Sequence, residues 1–222
     1  MYAAARTRLL AGTIAALTIT TVLAGCSSQP TDPNAWKSDV PDTTASATPT
    51  PSATGYTPVS KPGKAAPPKD ENNAWVHASA VVKDFINVQY EIQHDTGKSP
   101  DRIDDYATSS LANAVHDVAR QLAKQKITTN GAPKWTADAA ASSYGSVFTH
   151  EGKTIENGTV YVAGCYDVTN QKPVYANGSP APVSAVRVAP FSYRVQYLDD
   201  EKAWKVVGST KLDSSAQGVP QC

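Results

Sequence analysis

FSYRVQYLDDEKAWKVVG, residues 191–208, reads as two strands and the turn that joins them. Phe191, Tyr193, Val195 and Tyr197 alternate with Ser192, Arg194, Gln196 and Leu198. Asp199-Asp200 breaks the run. Trp204, Val206 and Gly208 then alternate with Lys205 and Val207. A period of two places one apolar set on a single face of a pleated sheet, and a short polar break returns the chain antiparallel. The pattern extends outward to strands at Val186–Leu198 and Ala203–Leu212. Two more stretches rich in Val, Tyr, Phe and Thr precede them, Ser146–His150 and Gly158–Asp167. Glu151-Gly152, Asn157-Gly158 and Asn177-Gly178 punctuate the series as turns.

Upstream the period changes to that of a helix. Trp75, Ala78, Val82, Phe85, Gln89 and Ile92 recur at spacings of three and four, with Val81 and Val88 widening the stripe. Asp70, Asn72 and Asn73 supply an N-cap and negative charge, and Gly97 lies beyond the end. Ser99-Pro100 starts a second helical region in two pieces, Pro100–Tyr106 and Ser109–Lys126. Leu111, Val115, Val118 and Leu122 share a face of the latter, and Asn130-Gly131 with Pro133 stops it. Helices first and antiparallel strands after predict an α+β domain, with the N-terminal helices packed on a curved antiparallel sheet.

The chain has 222 residues, with 20 basic and 20 acidic side chains. Zero net charge argues against nucleic acid as a partner, since phosphate binding needs a basic excess. Arg6 and Arg8 precede an uncharged run from Leu9 to Ala24, shorter than the roughly 20 residues of a spanning helix and fitting the apolar core of a signal peptide. The run ends Leu23-Ala24-Gly25-Cys26, which resembles the bacterial lipobox. The resemblance implies cleavage before Cys26, a diacylglycerol thioether on its sulfur and palmitate-type acyl chains. At about 0.8 kcal/mol per buried CH₂, two or three chains hold a protein on a membrane where one does not. The organisation expected is therefore a lipoprotein signal peptide at 1–25, the lipidated Cys26 with a disordered tether through 70, and an α+β domain at 71–222. Positions 27–70 hold 9 of the 16 prolines and 13 Ser or Thr, with no Leu, Ile, Phe or Met, too little apolar surface to offset the entropy of ordering.

The order of helix, helix pair and antiparallel strands, with Ala163-Gly164-Cys165-Tyr166-Asp167, Ala203-Trp204-Lys205-Val206 and Cys222, resembles the cone-shaped nuclear transport factor 2-like (SnoaL-like) fold. It is also similar in texture to uncharacterised lipoproteins of high-GC Gram-positive bacteria. With Cys26 acylated, Cys165 and Cys222 remain as an even pair outside the cytoplasm, where a disulfide is permitted. The alternative is a reactive thiol at Cys165, which needs a nearby imidazole.

His77, His94, His116 and His150 form no metal-ligand spacing, and no metal site is expected. No phosphate loop, dinucleotide fingerprint or Gly-x-Ser-x-Gly is present, so no cofactor is expected. The likeness to the cone-shaped fold implies a polar pocket that Tyr90, His94, Tyr106, Asp167 and Tyr193 could line, moving a proton on a small molecule as a lyase or isomerase does. Glu91, Asp95, Asp101, Asp104 and Asp105 cluster at the end of the first helix, a charge group open to a cation or a basic partner. The first reading is a non-catalytic, membrane-anchored extracytoplasmic module that binds an envelope protein or a small molecule. The alternatives are that enzyme, and an accessory component of a secretion or conjugation complex. A deep pocket with a buried ionisable group favours the enzyme; a filled cone with an exposed apolar patch favours the binding module.

Overall fold

The computed structural model describes residues 61–149 and 151–222. The expected signal peptide, Cys26, the expected tether up to residue 60 and His150 lie outside the described residues.

Helix α1 spans Glu71–His94, a short 3₁₀ helix spans Pro100–Asp105, and α2 spans Ser109–Gln125. Six strands follow: β1 (Ile127–Asn130), β2 (Lys134–Phe148), β3 (Thr154–Asp167), β4 (Lys172–Tyr175), β5 (Val188–Leu198) and β6 (Ala203–Lys211). The main sheet is antiparallel throughout in the order β2-β3-β5-β6, and β1 pairs with β4 in a separate two-stranded sheet. The α+β architecture, with helices against a curved antiparallel sheet, is as the sequence predicts.

Asp70 caps α1, its carboxylate accepting the Asn73 amide at 2.7 Å. The buried stripe of α1 is Ala74, Ala78, Val82, Phe85, Ile86, Val88, Glu91 and Ile92. It lies on the concave face of the sheet, against Val160 and Val162 of β3, Tyr193, Val195 and Tyr197 of β5, and Trp204 and Val206 of β6. The register sets Val160 beside Val195, Val162 beside Tyr193 and Tyr197 beside Trp204, so the alternation quoted at the outset is the core face. Bulges curve this sheet. β2 is irregular between Asp138 and Ser143 and again between Gly145 and Val147, and β5–β6 is irregular at Arg194/Val195. Asp138 holds the first bulge by accepting the Ala140 and Ala141 amides, and the Ser142 hydroxyl both donates to the Asp138 carbonyl and accepts the Ala163 amide.

Several expectations need correction. α2 stops at Gln125, where Lys126 turns left-handed (φ 55°). Asn130 ends β1 and Gly131 opens the β1–β2 connection, so the pair does not end a helix. The buried face of α2 is Ala112, Val115 and Ala119, while Val118 is 51% exposed. At Ala119 the turn after α1 approaches closely: a Cβ on Gly97 would lie 2.0 Å from the Ala119 carbonyl oxygen, and Gly97 itself has φ +77°. The strand placed at 146–150 is the end of a 15-residue strand that starts at Lys134. Asn157-Gly158 sits inside β3 opposite the β2 irregularity; the hairpin turn is at Thr149–Lys153, where the Thr149 amide donates to the Lys153 carbonyl.

Residues 61–70, assigned to the tether by composition, pack on the domain. The Ala65 amide donates to the Lys202 carbonyl, the Tyr197 hydroxyl donates to the Ala65 carbonyl at 3.1 Å, and Lys61 pairs with Asp105 at 2.8 Å. Among the described residues the buried core and its packed neighbours all lie between Ala65 and Val206, so the stretch from 61 onward carries a complete core of its own.

Candidate functional site

The concave face of the sheet is where the pocket expected from the sequence would open. Here aromatic side chains fill it. Tyr193 of β5 is 5% exposed and meets Phe85 of α1 edge-on (ring centroids 6.1 Å), Trp135 of β2 edge-on (5.2 Å) and Phe191 in a stack (6.4 Å). Tyr166 closes on Phe191 at 5.8 Å. Gly164 makes room for this cluster: a Cβ there would sit 2.7 Å from the Trp135 ring and 2.5 Å from the Thr136 carbonyl oxygen. Such edge-to-face contacts add about 0.5–1.5 kcal/mol each beyond the area they bury. At the other end of the sheet, His77 stacks on Trp204, which meets Tyr197 edge-on.

The five pocket candidates do not come together. Tyr193 lies in the aromatic filling. Tyr90 and His94 are neighbours on the last turns of α1, with ring centroids 5.8 Å apart. They fasten α1 to the short sheet: His94 Nδ1 lies 3.1 Å from the Thr129 carbonyl oxygen, and the Gly131 amide donates to the Tyr90 hydroxyl. Tyr106 is 2% exposed, where the 3₁₀ helix meets β6, and its carbonyl accepts the Val206 amide. Burial first, then the carboxylates of Asp84, Asp105 and Glu91, push its phenol up to about 12. Asp167 is at the end of β3, where its carboxylate accepts both the amide and the hydroxyl of Thr169; these bonds hold it below the usual carboxylate range.

The acidic cluster is largely consumed by internal pairs. Arg102 reaches the buried Glu91 at 3.0 Å and Asp95 at 2.8 Å, and donates to the Ser99 and Lys98 carbonyls at 3.1 Å each. Asp104 faces His116 at 3.0 Å, and Asp105 faces Lys61. This arrangement locks the left-handed connection after α1, where Thr96, Gly97 and Ser99 all have positive φ. Among the described residues no group of His, Cys, Asp or Glu is arranged to hold a metal ion.

Among the described residues, open grooves lie on the outside. One, of about 510 Å³, lies between the hairpin tips, lined by Val147, Phe148, Tyr197, Leu198 and Lys202, with Phe148 76% exposed. Another, of about 350 Å³, lies where α2 starts beside β6, and holds the Asp104–His116 and Glu201–Lys205 pairs. Sequence reasoning missed both, because each is assembled from segments far apart in the chain.

Cys165 and Cys222 form a disulfide, with Cα atoms 5.6 Å apart. Cys165 lies opposite Thr136 and Pro190 in the register. The Leu212 amide donates to the Pro190 carbonyl, so the tail leaves β6, crosses β5 and is fixed on β3.

The buried phenols make a prediction for alkaline solution. Burial pushes Tyr166 up to about 12 and raises Tyr193 as well. Below pH about 10 these phenols are neutral in folded and unfolded chains alike. Above it the unfolded chain releases protons that the folded chain keeps, so stability falls as pH rises. The expected slope is about 1.4 kcal/mol per pH unit for each of the two tyrosines, read from urea midpoints on either side of pH 10. A flat profile would mean that the two hydroxyls are in water.

No family model matches the chain, and no curated protein matches it. Among solved structures it is similar to the intermembrane space region of chloroplast protein ARC6, at 13% identity and a TM-score of 0.45, covering 67% of this chain and all of that one. A de novo beta sheet design protein solved by NMR gives 14% identity and a TM-score of 0.23, with 63% and 94% covered.

Proposed function

We propose that the chain is an extracytoplasmic lipoprotein, held on the outer face of the bacterial cell membrane by acyl chains on Cys26, and that its domain is a non-catalytic binding or assembly module of the nuclear transport factor 2-like kind. The observation that carries the reading is Leu23-Ala24-Gly25-Cys26 at the end of an uncharged run preceded by Arg6 and Arg8. The Cys165–Cys222 disulfide supports it, since such bonds persist in oxidising compartments. The aromatic filling around Tyr193 favours a binding role over a lyase or isomerase, because a reaction of that kind needs an open, polar cavity. The order of helices and strands supports the fold kinship.

Cys26→Ala is expected to leave the leader uncleaved and unacylated, with the acylated mature form absent from the membrane fraction. An unchanged, processed, membrane-bound product would overturn the proposal.

A further inference from the structure

We propose that the end of the domain carrying the β4–β5 loop docks on an anionic phospholipid surface. This end lies opposite the hairpin tips beside which residues 61–69 join. From Pro173 to Val186 the chain has no charged side chain. Val183, Val186 and Val188 are 54%, 53% and 37% exposed, and Pro180, Pro182 and Ala185 are exposed beside them. The next charge, Arg187, is turned inward, donating to the Val168 and Gln171 carbonyls. Single exposed valines are ordinary; two in one uncharged loop, with Val188 close behind them at the start of β5, are a patch.

Lysines surround that patch. Lys134 lies opposite Asp167 in the register, which itself lies opposite Val188; Lys172 starts β4 opposite Asn130; Lys124 and Lys126 end α2, just before β1; Lys98 follows the end of α1. All five are exposed, and among the described residues none is in an ion pair. Of the acids at this end, Asp95 is paired with Arg102, while Asp167 and Asp213 bond Thr169 and Ser215, stay ionised and are outnumbered by the five lysines. Charge at a helix C-terminus would account for Lys124 and Lys126. It does not account for Lys134 and Lys172, which lie on strands.

An uncharged apolar loop ringed by cations matches a bilayer interface, with valines entering the headgroup boundary and lysines facing phosphates. A second copy of the same face would bring like charges together, and a soluble polyanion would leave the valines in water. The proposal rests on the membrane setting above, but its test does not. The unacylated chain beginning at Ser27, which keeps the whole core, is sedimented with vesicles of phosphatidylcholine alone or mixed with phosphatidylglycerol. Binding is expected only with phosphatidylglycerol, and weakens as salt rises. Lys134→Glu and Lys172→Glu each lower it about fivefold or more, and Val183→Ser with Val186→Ser lowers it several-fold. Lys64→Glu, at the opposite end, leaves it unchanged. Failure to bind phosphatidylglycerol vesicles at low salt, equal binding by the lysine variants, or valine-dependent self-association without lipid would each overturn the docking, while acylation at Cys26 would stand or fall separately.

Discussion

Tyr193→Ala lowers the stability of the domain by about 3–5 kcal/mol. Tyr193 is 5% exposed and is the ring at which α1, β2 and β5 meet, through Phe85, Trp135 and Phe191. Removing it leaves a cavity that its neighbours cannot fill, because Trp135 is already seated over Gly164 and Phe85 is fixed in the buried stripe of α1. Tyr193→Phe keeps the ring and costs much less, which separates packing from the hydroxyl. Urea denaturation of the two variants reads the difference. A loss below about 1 kcal/mol for the alanine variant would mean that the concave face is loosely filled, and would reopen a cavity there.

Loss of the disulfide comes next in size. Cys165→Ser with Cys222→Ser is expected to destabilise by about 4 kcal/mol on the chain-entropy model, for a bridge between residues 57 apart in sequence. The model counts only the freedom restored to the unfolded chain. The folded chain loses something too. Pro220 is buried in the tail, and without the bond nothing covalent holds the residues after Leu212 to β3. Limited proteolysis should then cut between Asp213 and Gln221, while the intact protein resists. A free-thiol count of zero in the unreduced, unfolded chain beginning at Ser27, with resistance lost on reduction, is the expected pair of results. Two free thiols would contradict the bridge.

What the sequence made legible follows from how local each signal is. α1 was readable because one stripe, Ala78, Val82, Phe85 and Ile92, repeats on a single buried face. β5 and β6 were readable because each is buried on one side only, so their alternation survives in the residues. β2 was mostly hidden. Its stretch Ala137–Gly145 is made of Ala, Ser, Asp and Gly with one Tyr, lacks the β-branched residues of an ordinary strand, and is interrupted by the bulge that Asp138 and Ser142 hold. β1 and β4 are four residues each, too short for a period, and Pro173 argues against a strand unless it lies at an edge. The face of α2 was misplaced because size was taken as the guide. Ala112 and Ala119 face inward where the backbone of Gly97 comes close, and Val118 is left outside.

The pocket candidates show the same limit. Tyr90 and His94 were correctly seen to share a helix face, but what that face touches is β1 and the turn after it, elements absent from the sequence reading. Tyr193 is a candidate for lining a pocket from the sequence, yet the partner that fills the space there, Trp135, comes from the part of β2 that the sequence hides. The disulfide was legible because cysteines are few and the compartment was inferred first.

Intact mass of the mature protein extracted from membranes is the measurement on which the functional reading turns. A chain that starts at Cys26 and carries the added mass of a diacylglycerol group, with or without an amide-linked acyl chain, is the predicted result. A mature chain with an unmodified first residue, or one that retains its leader in the soluble fraction, would contradict it.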